Sequence, residues 1–67
     1  MSLDTYHVDL STLSANERAS VMNCIEQNSF NGLHLYPDFQ SGIFEVHKGF
    51  DITQLNLPAT CHVTRCH

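Results

Sequence analysis

Between residues 5 and 10 apolar and polar positions alternate, with Tyr6, Val8 and Leu10 on one face and His7 and Asp9 on the other. That period of two predicts a half-buried strand. Ser14 with Glu17 three residues later is a capping box, in which the hydroxyl takes an amide of the first turn and the carboxylate reaches back. It predicts a helix over 15–27. Ala15, Ala19, Met22 and Ile25, flanked by Val21 and Cys24, recur at helical spacing, while Asn16, Ser20, Asn23 and Gln27 fall toward water. Asn31-Gly32, a pair suited to positive φ, closes the segment.

Residues 33–39 and 43–48 read as a hairpin around a turn at Gln40-Ser41-Gly42. Leu33 and Leu35 share the inner face with Phe44 and Val46, which fixes the parity of the register. A four-residue loop over 39–42 then sets His34 opposite His47. Pro37 has no amide to give to a ladder, so its strand belongs at an edge. Residues 50–55 predict a single turn capped by Asp51, with Ile52 and Leu55 inward. A last strand over 59–65 puts Cys61 and Val63 inward and His62 and Thr64 outward. The predicted fold is α+β, a small four-stranded antiparallel sheet with one α-helix on one face, as a single domain over 1–67. Val8, Ile25, Leu35 and Val46 are expected to meet in its core. The order β-α-β-β-β resembles a ferredoxin-like unit whose second helix has shrunk to one turn. That likeness is one of topology, and topology alone implies no function.

One helix covers one face of such a sheet. The other face is expected to carry His7 and Asp9, His34 and Tyr36, Glu45 and His47, and His62 and Thr64. An uncovered sheet face is either solvated or a place where the protein meets something. A zinc site there would need three or four ligands converging at ~2.0–2.2 Å. The candidates are His34 with His47, His7 and His62, with Glu45 nearby, although no His-Glu-x-x-His or Cys-x-x-Cys spacing supports them. Protonation of all five histidines would carry the net charge from −4 toward about +1, which makes the same face a candidate pH sensor. Cys61-His62 and Cys66-His67 repeat a dipeptide, but Cys61 and Cys66 point to opposite faces of a strand and cannot share an ion unless the strand ends before Cys66.

Three cysteines, an odd number without a Cys-x-x-Cys pair, suggest a reducing compartment. No apolar run approaches ~18 residues, and Met1-Ser2-Leu3-Asp4 lacks a basic-then-apolar leader. The expected location is a cytoplasm, of a cell or of an infected host, with no membrane contact. A chain this short leaves little room for a concave pocket of ~300–1,000 Å³. It has no Gly-x-Ser-x-Gly and no Gly-rich phosphate loop, so neither catalysis nor a cofactor is expected.

Three Lys/Arg against seven Asp/Glu argue against binding nucleic acid directly by phosphate neutralisation. Scattered acids can instead imitate phosphates and occupy a basic groove on a protein partner. Asp38 and Glu45 on the hairpin, with Tyr36 and the tip residue Phe39 as anchors, are the partner-binding candidates, and Phe50 is a further aromatic. A standard interface of ~800 Å² takes about a fifth of the ~4,300 Å² surface that a chain of this mass should fold to. The expected function is that of a small acidic binding or inhibitory protein that occludes a partner. Chains of this kind are common among phage-encoded inhibitors of host nucleic-acid machinery, anti-CRISPR proteins among them. Two other readings stay open: a metal- or pH-responsive module built on the histidines, and a domain that homodimerises by stacking its open sheet faces.

Overall fold

The computed structural model describes residues 2–66. In chain order these form β1 (Leu3–Asp9), α1 (Ala15–Asn28), β2 (His34–Leu35), β3 (Ser41–His47), a 3-10 turn (Ile52–Leu55) and β4 (His62–Cys66). The strands build one antiparallel sheet in the order β2-β3-β1-β4. β1 and β2, joined through α1, therefore run parallel with β3 between them, and β4 returns beside β1. This is a ferredoxin-like order with the second helix reduced to the 3-10 turn.

The start of α1 follows from its capping box. Ser14 is extended (φ −69, ψ 167); its hydroxyl accepts from the Glu17 amide at 3.3 Å, and its own amide donates to the Glu17 carboxylate at 3.1 Å. Ser14→Ala should cost ~1 kcal/mol. In a domain of this size that is a fall in melting temperature of roughly 4–8 °C, readable in a thermal melt. Asp51 caps the 3-10 turn in the same manner, accepting from the amide and the hydroxyl of Thr53.

The core joins Val8, Phe44 and Val46 of the sheet to Val21 and Ile25 of α1, closed by Leu10, Leu13 and Leu55. Leu35 packs against this cluster partly buried, and so does Phe50, which is thereby withdrawn from the exposed anchors. The buried stripe of α1 is rotated from the expected one. Val21 and Ile25 are its centre, and Ala15 and Ala19 are exposed. Burial gain scales with apolar area, so the larger branched side chains decide which way the helix rolls.

The hairpin differs most from expectation. His34 pairs with Ile43 and Leu35 with Gly42, so His34 does not face His47. The chain reverses over Pro37–Gln40: the Tyr36 carbonyl accepts from the Phe39 amide at 2.9 Å, and the Tyr36 amide donates to Ser41 at 2.9 Å. Pro37, with its φ preset, serves the turn and not the strand, which leaves β2 two residues long. The register moves by four positions. Because that shift is even, every side chain keeps its expected face.

Gly42 belongs to β3 and not to the turn. A Cβ there would lie 2.8 Å from the His34 carbonyl oxygen and 3.0 and 3.2 Å from methyl groups of Leu33 and Leu35. β4 likewise starts later than expected, at His62, because the Cys61 amide closes a turn onto Pro58.

Candidate functional site: the bare face of the sheet

Directly paired residues of an antiparallel ladder share a face. On the face away from α1, one row across the sheet therefore reads His34, Ile43, His7, Thr64. The neighbouring rows read Ser41, Asp9, His62 and Glu45, Thr5, Cys66. His7, His34, His47 and His62 all fall here, as the alternation predicts. His34, His47 and His62 are exposed, while His7 and Ile43 are half-buried.

Aromatic rings flank the two ends of this face. The Tyr36 ring lies beside the His7 imidazole, with centroids 5.9 Å apart. Beyond it the hairpin loop presents Asp38 and Phe39. At the other end Phe30 meets His47 edge-on, with centroids 5.2 Å apart. The Phe30 amide donates to the Glu45 carbonyl, and the Asn31 side-chain amide donates to the Glu45 carboxylate. Glu45 lies four residues along β3 from Ser41, about 13 Å of strand. The four residues expected to act together are thus divided: Tyr36, Asp38 and Phe39 at the loop, Glu45 beside Phe30.

The sequence pattern gives no sign of Phe30 on this face. In sequence it sits in a polar stop segment, and only its attachment to the open edge of β3 brings its ring onto the face. It is 52% exposed, comparable with Phe39 at 65% and Tyr36 at 41%.

Phe39 is unusual in backbone as well as in exposure. Its φ is +56, in the left-handed region that glycine or asparagine normally supplies. A bulky residue there costs roughly 1–2 kcal/mol, and an exposed ring recovers little of that by packing. Local stability therefore gives no reason for a phenylalanine at the loop tip.

The carboxylates are mostly engaged within the fold. Asp4 pairs with Arg65 at 3.2 Å, Glu17 and Asp51 cap, and Asp38 holds the loop through the Gln40 amide at 3.0 Å. The Ser11 hydroxyl and then the Ser11 amide hold Asp9 below the ordinary carboxylate value of 3.8, aided by His62 and His7 and opposed by burial. A carboxylate lowered on folding contributes stability above 3.8 and loses it as pH falls through its folded value. The gap in melting temperature between wild type and Asp9→Asn should accordingly close on acidification below that point. Melts across a pH series read this directly.

The chemistry available elsewhere is limited. Among the described residues, no three His, Cys, Asp or Glu side chains come together as a metal site, and His67 lies outside them. Burial, and then the charge of Asp9, push the Cys61 thiol up, away from thiolate reactivity. The Cys24 thiol donates to the Leu55 carbonyl at 2.9 Å. With Val21, Leu55, Leu57 and Pro58 it lines an open, mainly apolar cleft of about 420 Å³, a size not expected of so short a chain, left where α1 and the segment after the 3-10 turn do not close on each other. No described helix is long and apolar enough to cross a membrane. Comparison with protein-family models, curated proteins and solved structures finds no match to this chain.

Proposed function

We propose that the protein is a binding module that occludes the surface of a protein partner, without chemistry of its own, in a cytoplasm. The observation that carries this reading is the bare sheet face, flanked by Tyr36 at one end and Phe30 at the other, with Phe39 held strained and exposed beside it. Half-exposed aromatics on a preformed sheet are the side chains that serve as anchors at low conformational cost. The net charge of −4 favours a basic partner, and a nucleic-acid-handling protein, inhibited in the manner of anti-CRISPR proteins, is the class that fits. Of the 4,388 Å² of surface, one standard contact takes about a fifth.

The test separates charge from anchoring. Asp38→Asn and Glu45→Gln keep an oxygen acceptor for the Gln40 amide and the Asn31 side chain but remove the charge. Each should slow association with the captured partner, and the loss should shrink as salt rises. Phe39→Gly relieves the left-handed strain, so the melting temperature should hold while dissociation accelerates. Unchanged kinetics in folded variants would remove the hairpin from the contact.

A further inference from the structure

The two edges of the sheet are built differently. At one edge β2 offers two residues and then Pro37, a short and blunted border of the kind that resists strand addition. At the other edge β4 runs for five residues with neither Pro nor Gly. Its one charged side chain, Arg65, is turned to Asp4. Among the described residues, no backbone hydrogen bond of residues 62–66 goes anywhere but β1.

The register says which groups are free. Lys48 donates to the Ser2 carbonyl and Leu10 to the Gln40 carbonyl, so the even residues of β1 turn their amides and carbonyls toward β3. The odd residues Thr5, His7 and Asp9 then serve β4, where they meet Cys66, Thr64 and His62. Val63 and Arg65 are left with their amides and carbonyls pointing out of the sheet.

We propose that β4 is the interface of a homodimer, pairing antiparallel with β4 of a second copy about a two-fold axis at Thr64. In that register Val63 faces Arg65 of the second copy, and the reverse, and all four outward amides find carbonyls. Thr64 meets its own copy in a close, non-hydrogen-bonded pair, a favourable cross-strand match. His62 faces Cys66, and the two Arg65 side chains are kept apart. A second copy fits better than a foreign strand for a geometric reason: an antiparallel pair of identical strands is two-fold symmetric and closes at two. The blunted β2 edges then stop further growth. The dimer is one eight-stranded sheet with both bare faces on the same side. It does not rest on the partner-binding reading, since it uses an edge and not the face.

A contact one strand wide lies below the ~1,200 Å² at which stable interfaces begin, so the dimer is weak and concentration-dependent. The experiment is sedimentation equilibrium up to millimolar protein, with backbone amide exchange followed by NMR over the same series. The mass should rise from 7.6 kDa toward twice that. The Val63 and Arg65 amides should gain protection with concentration, while Thr64, already bonded to β1, stays constant. Thr64→Lys sets two like charges at the axis, and Arg65→Pro deletes an outward amide without touching the β1 ladder. Both should be folded monomers, and Arg65→Ala, which loses only the Asp4 pair, should still dimerise. If Arg65→Pro does not fold, Thr64→Lys and the exchange data decide alone. A wild type that stays monomeric, whether or not it captures a foreign strand, overturns the proposal. So does a dimer that survives Thr64→Lys, or one in which the Val63 and Arg65 amides exchange freely; stacked sheet faces would give that result.

Discussion

Val46→Asp is expected to leave the chain unfolded, and His47→Asp, one residue further on, to leave it folded. Val46 is 1% exposed and belongs to the core cluster with Val8, Ile25 and Phe44. A carboxylate placed there enters a cluster built, among the described residues, of apolar side chains alone. It must either stay ionised without a partner or take up a proton, and either course costs several kcal/mol. A chain of this length has about 3–10 kcal/mol of stability in all, so the loss is of the order of the whole. His47 points the other way. It is exposed, and its ring contact with Phe30 is an edge contact at the surface. Circular dichroism melts of the two variants measure the difference, and equal damage would mean that the phase of β3 is wrong.

Gly42→Ala is expected to be the most damaging one-carbon addition in the sheet. Gly42 sits in β3 opposite Val8 on one side and Leu35 on the other, facing the core. The new methyl would come within 2.8 Å of a backbone oxygen that the β2–β3 pairing holds in place, and it would also crowd Leu33 and Leu35. The leucines can shift; the His34 carbonyl can move only by loosening β2. Overpacking of this kind costs typically 1–3 kcal/mol. At roughly 4–8 °C per kcal/mol the melting temperature should fall by about 4–24 °C. A melt within a degree or two of wild type would show that β2 does not pack over Gly42 as described.

These two residues also mark where the sequence is legible. The alternation about Val46 and Val8, and the capping box at Ser14, are local signals with a single physical meaning, and both appear in the fold as read. The open face follows from them by parity alone, which is why His7, His34, His47 and His62 are found on it. Gly42 reads as part of the turn because Ser-Gly is ordinarily turn chemistry, whereas in the fold the glycine is needed for a close approach between strands. Nothing local distinguishes those uses. The turn itself was set by Pro37 and by the left-handed backbone of Phe39, a conformation that phenylalanine does not advertise. The same limit applies to the site. Phe30 and Glu45 become neighbours only through the edge of β3, so the division of the expected cluster into two ends is a tertiary fact with no signature in spacing.

The central claim is that the bare sheet face, and not the helical side, is what the protein uses. The most direct measurement is a quantitative comparison of proteins retained from cell extract by three immobilised forms: wild type, Phe30→Ser with Tyr36→Ser, and Glu26→Lys on the exposed side of α1. The prediction is that wild type and Glu26→Lys retain the same basic protein in similar amount, and that the double variant, still folded by its melt, loses it. Retention by the double variant with loss in Glu26→Lys would contradict the claim and move the binding surface to the helix.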